Sequence, residues 1–340
     1  MRALVITEHG PPEVMKVLDR PDPQPGPGEV RIAVKAAGIN FADLLARLGF
    51  YPDAPKPPCV VGYEVAGEID SLGDGVEGVS VGDWVLAPTK FGGYAELAIA
   101  PASDLLPLPD GWSFEEGAAL PVVYATAYAG LVRYGSLRQG ERLLVQAAAG
   151  GVGIAATQIG KKLGAEIFGT ASASKHDAIR GFGVQHAIDY RTKDFAKEVR
   201  RITGEKAPLD LVLDGIGGPS FRKGLKLLRP GGRLVMLGAS AVMEGERRNL
   251  PRALRTVVTT PRFNPLRLMS DSRAAIGLNM LRIWESKGSM MSDYAEPLTA
   301  MVEDGSIRPV VAEAFPLERG GDAHRFVAER KNVGKVVLTV

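Results

Sequence analysis

The run Ala147-Ala-Ala-Gly-Gly-Val-Gly153 has the residue types needed to hold a pyrophosphate. Glycines let a backbone turn sharply and approach phosphate oxygens, and free N–H groups at the start of a following helix attract the anion. The spacing is a variant of G-x-G-x-x-G, with Gly150 and Gly153 in the second and third places and Ala148 replacing the first. Ala149, Gly150, Gly151, Val152 and Gly153 are therefore the expected phosphate contacts. A plain structural turn is the competing explanation, and placement between a strand and a helix in a long series favours the dinucleotide. The end of the next strand discriminates between cofactors. An NAD site wants an Asp or Glu about 20 residues beyond the turn, to accept from the ribose 2′-hydroxyl. Residues 169–175 read Gly-Thr-Ala-Ser-Ala-Ser-Lys, without a carboxylate. Ser172, Ser174 and Lys175 suit a 2′-phosphate, so NADPH is the expected cofactor. A helix cap at Ser174 beside a solvated Lys175 is the alternative, compatible with the first. The missing acid also argues against an S-adenosylmethionine site.

Such a turn needs a sheet to hold it. After residue 121, strand-like runs at 142–147, 166–169, 186–190, 209–214 and 233–238 alternate with helical stretches, one from the glycines to Leu163 and another over 175–181. This pattern predicts βαβ units and a parallel sheet covered on both faces. Earlier runs at 30–35, 60–69 and 82–87, punctuated by Gly and Pro, predict a barrel-like β domain. The segment 334–340 is a lone strand that can return to that domain. The fold class is therefore α/β.

The chain has 340 residues, 45% of them hydrophobic, enough for two domains with sizeable cores. Lysine and arginine number 41 against 39 acids, a balance that argues against a dedicated nucleic-acid binder. One cysteine, Cys59, excludes an internal disulfide and a cysteine-rich metal site, and it reads as a small buried hydrophobe. A reducing, cytoplasmic setting is expected. Residues 1–8 read as a first strand rather than a targeting segment. Residues 143–160 have about the length of a membrane span, but Gln146, Gln158 and the glycine cluster favour strand, turn and helix.

Together, Gly38-Ile-Asn-Phe-Ala-Asp43, Gly62-Tyr-Glu-Val-Ala-Gly67, Gly82-Asp-Trp-Val85, the glycine turn and Lys331-Asn-Val-Gly-Lys-Val-Val337 resemble the medium-chain dehydrogenase/reductase superfamily, in its zinc-free quinone oxidoreductase branch. Gly169-Thr-Ala-Ser-Ala-Ser-Lys-His176 and Asn40-Phe-Ala-Asp-Leu44 are similar to bacterial relatives of the vesicle amine transport protein. The resemblance spans essentially the whole chain. It implies a GroES-like catalytic domain from residues 1–121 and 282–340, a Rossmann NADP-binding domain over 122–281, and a homodimer. It also implies the absence of zinc. Asn40 stands at the place of one metal ligand and Tyr63 at another, no cysteine lies near Tyr124, and the four histidines are scattered.

By the same resemblance, Asn40 and Tyr51 face the cleft beside the nicotinamide, and Tyr51 matches the proposed proton donor of enoyl thioester reductases. A phenol there could donate to a developing enolate, or simply pack over the cofactor. Thr126 falls near the nicotinamide, although a hydroxyl at a helix start also has ordinary capping work. Tyr190 is expected beside the adenosine phosphate. Leu237, Gly238 and Ser240 follow a strand's carboxyl end, and Asn332 and Lys335 can reach the cofactor across the cleft. Asp214 reads as a turn cap.

Residues 247–282 hold eight arginines and a single acid, Asp271. Leu250, Ala253, Leu254, Val257 and Val258 fall at helical spacing within it. A helix packed on its own domain with a solvated basic face is expected, with Met269, Met280 and Trp284 lining the substrate mouth or a dimer interface. Contact with an anionic membrane or a phosphate-bearing substrate is the alternative. Three functions fit: an NADPH-dependent quinone reductase, an enone or enoyl-thioester reductase, and a weakly active NADPH-binding protein at membranes.

Overall fold

The computed structural model describes residues 1–243, 245–246 and 248–340. Six parallel strands lie side by side in the order His186–Asp189, Glu166–Ala171, Arg142–Val145, Leu209–Asp214, Leu228–Met236 and Ala274–Gly277. The winding direction reverses between Arg142–Val145 and Leu209–Asp214. The crevice outside the carboxyl ends of strands at such a switch point is where open α/β sheets take ligands.

These strands are apolar along their length because both faces are covered. Leu143, Val145, Ile167, Leu211, Leu213 and Val235 enter one core. Their neighbours Leu144, Phe168, Ile188, Val212 and Leu234 enter the other. Successive side chains of a strand point to opposite faces, so each continuous run is two half-buried patterns interleaved. Full burial of such a side chain contributes roughly 1.5–3 kcal/mol.

The second sheet centres on Glu29–Ile39, which pairs antiparallel with Lys335–Thr339, Glu64–Leu72 and Leu97–Pro101. Val30, Ile32 and Val34 point inward on alternate positions and pack with Leu4, Ile6, Val65, Ile69, Val85 and Leu338. The terminal strand Lys335–Thr339 thus returns to the first part of the chain, where it also pairs in parallel with Val311–Pro316. The single run expected at 60–69 is two strands, Cys59–Val60 and Glu64–Leu72. Gly62 separates them at φ +105, where a Cβ would meet the Tyr94 ring at 2.6 Å. Cys59–Val60 is the edge of a separate three-stranded sheet, paired with Arg2–Ile6, and Cys59 is only half-buried there, which corrects the expectation of a core cysteine.

The arginine-rich segment forms helices Leu250–Thr259, Pro265–Ser270 and Met280–Lys287, while Arg247 lies outside the described residues. The helical spacing holds, but the apolar face does not pack on its own domain. Leu250, Leu254, Val257 and Val258 are each more than half exposed, as are Leu266 and Met269. The inward position of the first helix goes instead to Thr256, which is buried and donates its hydroxyl to the Ala241 carbonyl. Among the described residues no helix is long and apolar enough to cross a membrane.

Candidate functional site

A cavity of about 960 Å³ opens at the switch point, walled by both sheets. Asn40, Tyr51, Thr126, Ala149, Gly150, Gly151, Val152, Gly153, Ser172, Lys175, Tyr190, Leu237, Gly238, Ser240, Asn332 and Lys335 all line it. The structure therefore brings these expected site residues to one place, while Ser174 and Met269 lie outside the lining.

At the glycine turn, Gly150 begins the helix Gly151–Lys162 and no side chain caps it. Its first N–H groups stay free for an anion. Gly153 lets the helix lie backbone-to-backbone on the strand end: a Cβ there would fall 2.4 Å from the Ala147 carbonyl oxygen and 2.7 Å from the Ala148 Cα. Ala147 sits at φ +54, a left-handed conformation that costs an L-residue roughly 1–2 kcal/mol. Its N–H donates to Thr170 Oγ1 at 3.1 Å, and that hydroxyl donates to Gln146 Oε1 at 2.6 Å. The far end of the chain closes over the turn, with the Gly334 N–H donating to the Ala149 carbonyl at 2.9 Å.

At the adenosine end, Lys175 Nζ donates to the carbonyls of Arg330 and Asn332, both at 2.6 Å. Burial holds its pKa below the ordinary lysine value. The Arg330 guanidinium lies 6.0 Å over the Tyr190 ring. Burial pushes the Tyr190 phenol up, but Arg330 and Arg191 outweigh it and leave the phenol below its usual range. Lys175 and Arg330 thus bring two cations to this end of the cavity, beside the Ser172 hydroxyl. Ser174 does not cap the next helix, which starts after Lys175 without a side-chain cap. Its Oγ instead faces Ser172 Oγ at 3.3 Å. Arg330 escaped the sequence reading, where its one signal was its place beside Lys331-Asn332.

At the opposite end, Lys335 Nζ lies 2.5 Å from Glu64 Oε1 and donates to Asn40 Oδ1 at 2.6 Å. Asn40 Nδ2 donates to Glu64 Oε1 at 2.9 Å, and the Val122 N–H donates to Glu64 Oε2 at 2.8 Å. Glu64 is fully buried and Lys335 nearly so. The Asn40 amide is thus held from both sides, and Glu64 joins the site through a motif already noted for its neighbour Tyr63. Below it, the buried Asp43 carboxyl accepts from the Asn40 N–H, the Tyr94 hydroxyl and the Gly62 N–H at 2.7, 2.8 and 3.1 Å. Burial pushes Asp43 up to about 6 despite these donors.

Thr126 lies inside the helix Pro121–Tyr128, not at its start, and its hydroxyl donates to the Val122 carbonyl at 2.6 Å. Tyr51 is half-buried with Tyr63 edge-on at 6.2 Å, and burial raises its pKa. Met280, Leu281, Trp284 and Met290 supply the apolar wall here, but exposed Met269 does not. Asp214 accepts from the Ile216 and Gly217 N–H groups and from the Ser220 hydroxyl, so it shapes the turn after its strand. Among the described residues, no group of three or more His, Cys, Asp or Glu could hold a metal ion.

A doubly wound sheet with an uncapped glycine turn, joined across a cleft to a β domain, defines a dinucleotide-binding protein. Residues 182–338 match the zinc-binding dehydrogenase family, and residues 26–110 match the alcohol dehydrogenase GroES-like domain. The synaptic vesicle membrane protein VAT-1 homolog of Danio rerio is 40% identical over 340 residues, spanning 99% of this chain and 70% of that protein. A mycobacterial protein solved in complex with NADPH superposes with a TM-score of 0.87 at 32% identity, over 100% of both chains. A quinone oxidoreductase from Pseudomonas syringae pv. tomato does so with a TM-score of 0.86 at 30% identity, over 100% of this chain and 99% of that one. The chain belongs to the medium-chain dehydrogenase/reductase superfamily, close to the VAT-1 homologs and the quinone oxidoreductases, and its cofactor is a nicotinamide dinucleotide.

Proposed function

We propose that the protein is a zinc-independent, NADPH-dependent reductase that delivers hydride to quinones. One observation carries this reading: a single cavity joins a dinucleotide cradle to an apolar acceptor end with no metal-ligand cluster among the described residues. The cofactor supplies the hydride when bound. The chain's part is positioning, which is sufficient for an acceptor that takes hydride readily. The helix start at Gly150 holds the pyrophosphate, while Ser172, Lys175 and Arg330 hold the 2′-phosphate. Lys335, Asn40 and Glu64 form the rigid polar floor beside the reacting ring. The test is oxidation of NADPH by metal-free protein with 1,2-naphthoquinone, with NADH in parallel. Absence of consumption despite NADPH binding overturns the acceptor, and absence of binding overturns the cofactor.

Lys175→Ala separates the two dinucleotides. A hydrogen bond to a charged group contributes about 1.5–3 kcal/mol, so KM for NADPH is expected to rise roughly 10- to 100-fold. KM for NADH should change by less than about twofold, since NADH lacks the phosphate. Equal losses with both would reduce Lys175 to a clasp on the Arg330 and Asn332 carbonyls.

The Tyr51 phenol, which donates to no described residue, favours a second reading as an enone or enoyl-thioester reductase. A general acid is typically worth 10²- to 10⁴-fold. Tyr51→Phe should therefore lower enone turnover by at least about 100-fold, while quinone turnover falls by no more than about tenfold. Because burial raises this phenol, it remains an acid throughout neutral and mildly alkaline solution. Enone turnover should then show no loss from phenol ionisation below about pH 10.

We also assign the exposed face of Leu250, Leu254, Val257 and Val258 to a second copy of the chain. In the same segment of the chain, the strand Ala274–Gly277 ends its sheet and pairs on one side only, and an open strand edge invites symmetric pairing. Light scattering should find a dimer in the native protein and a monomer in L254E/V258E. A native monomer that pellets with anionic vesicles would assign the face to a membrane instead.

A further inference from the structure

We propose that Tyr63 is a substrate-binding residue, its hydroxyl donating with that of Tyr51 to one carbonyl oxygen of the acceptor. The proposal rests on the reductase reading and extends it to how the acceptor is recognised. Tyr63 lines the cavity at 7% exposure, and its hydroxyl oxygen is buried with no hydrogen-bond partner among the described residues. A buried hydroxyl left unpaired is costly and uncommon in folded proteins. Its close neighbour is the Tyr51 phenol, toward which the Tyr63 hydroxyl is the donor side of a contact too loose to meet hydrogen-bond geometry.

The ring is held where it stands. The Thr89 N–H donates to the Tyr63 carbonyl at 2.7 Å, and the next residue, Glu64, is pinned by Lys335 and Asn40. Tyr51 meets the ring edge-on at 6.2 Å, and Phe91 packs on it at 5.2 Å. The other hydroxyls at this end are already committed, Thr89 Oγ1 to the Gly62 carbonyl at 2.9 Å and Thr126 Oγ1 to that of Val122 at 2.6 Å. The hydroxyl protons left for a ligand here are those of Tyr51 and Tyr63. Burial raises both phenols, so both keep their protons as donors.

A carbonyl oxygen has two lone pairs and can accept from both phenols, whereas a hydrocarbon of the same shape can accept from neither. As NADPH gives up a hydride and becomes NADP⁺, a quinone gains two electrons and one hydrogen, and negative charge gathers on its oxygen. The two donors face that charge. A proton from water completes the hydroquinone, and Tyr63 retains its own proton. A site that must satisfy a buried donor rejects ligands lacking the acceptor, so the acceptor class is one with an exposed conjugated carbonyl, as in quinones and enones.

The test compares the binding of acetophenone and of ethylbenzene to the protein–NADPH complex by calorimetry, in native protein and in Tyr63→Phe. Native protein should bind the ketone about tenfold more tightly than the hydrocarbon. Tyr63→Phe should erase that preference by weakening the ketone alone, with ethylbenzene and NADPH affinities within twofold of native. Its kcat/KM for 1,2-naphthoquinone should fall about tenfold, and its thermal midpoint should stay level or rise because the unpaired hydroxyl is gone. A native protein without ketone preference, a variant that keeps the preference, or a variant that loses both ligands equally would each overturn the proposal. Failure of the native protein to oxidise NADPH with any quinone overturns the reductase reading separately, since the ketone comparison needs only binding.

Discussion

Replacing Lys335 by methionine is expected to destabilise the protein by about 3–5 kcal/mol, because removing one partner of a buried ion pair leaves the other charge uncompensated. Glu64 is fully buried, and after the change only the Asn40 amide and the Val122 N–H would face its carboxylate. Urea unfolding measures the loss directly. The double variant Lys335→Met with Glu64→Gln removes both charges and should recover most of the stability, since neutral replacement of a buried pair is often tolerated. Activity should not return with it. The ammonium also fixes Asn40 through Oδ1, so the polar floor of the cavity loses its geometry in either variant. A single variant within about 1 kcal/mol of native would show that water reaches Glu64, and the rigid-floor argument would fail.

The second large effect is at Gly153. A valine there places its Cβ 2.4 Å from the Ala147 carbonyl oxygen, with the Ala148 backbone at 2.7 and 2.8 Å. These are main-chain atoms on a strand end buried in the parallel sheet, so they cannot rotate away as a flexible side chain would. The helix Gly151–Lys162 must therefore lift from the strand, carrying the free N–H groups at its start with it. Overpacking of this kind costs about 1–3 kcal/mol. The larger effect should fall on the cofactor, with dinucleotide affinity reduced at least about 100-fold, or roughly 2.7 kcal/mol. Fluorescence titration with NADPH checks it. Near-native affinity in a folded Gly153→Val protein would place the pyrophosphate elsewhere.

The parallel sheet was legible in the sequence because each strand is buried on both faces and so reads as an unbroken apolar run next to helical spacing. The glycine turn was legible because backbone approach leaves a mark in residue type: nothing larger than glycine fits at Gly153. The helix at Leu250–Thr259 was legible as a helix and misread as to its surroundings. Periodicity reports that apolar residues share a face, not what that face meets, and here the inward contact runs through Thr256. Ser174 shows the same limit. A serine before a helix is a good cap by type, yet the helix begins one residue later and the hydroxyl turns to Ser172.

By itself, then, the sequence determined the two-domain α/β fold, the glycine turn between strand and helix, the lack of an acid after the second strand and the scatter of potential metal ligands. Each is written in residue type and short spacing, which local backbone geometry enforces. Tertiary structure decided the rest: that Glu64 locks Lys335 and Asn40 into one buried network, that Arg330 reaches Tyr190, and that the Tyr63 hydroxyl is left unpaired beside Tyr51. Those partners are far apart in the chain, Lys335 and Asn40 by 295 residues. Their meeting depends on how the last strand folds back beside Glu29–Ile39, and no local pattern in either segment encodes which side chains that return brings within hydrogen-bonding distance.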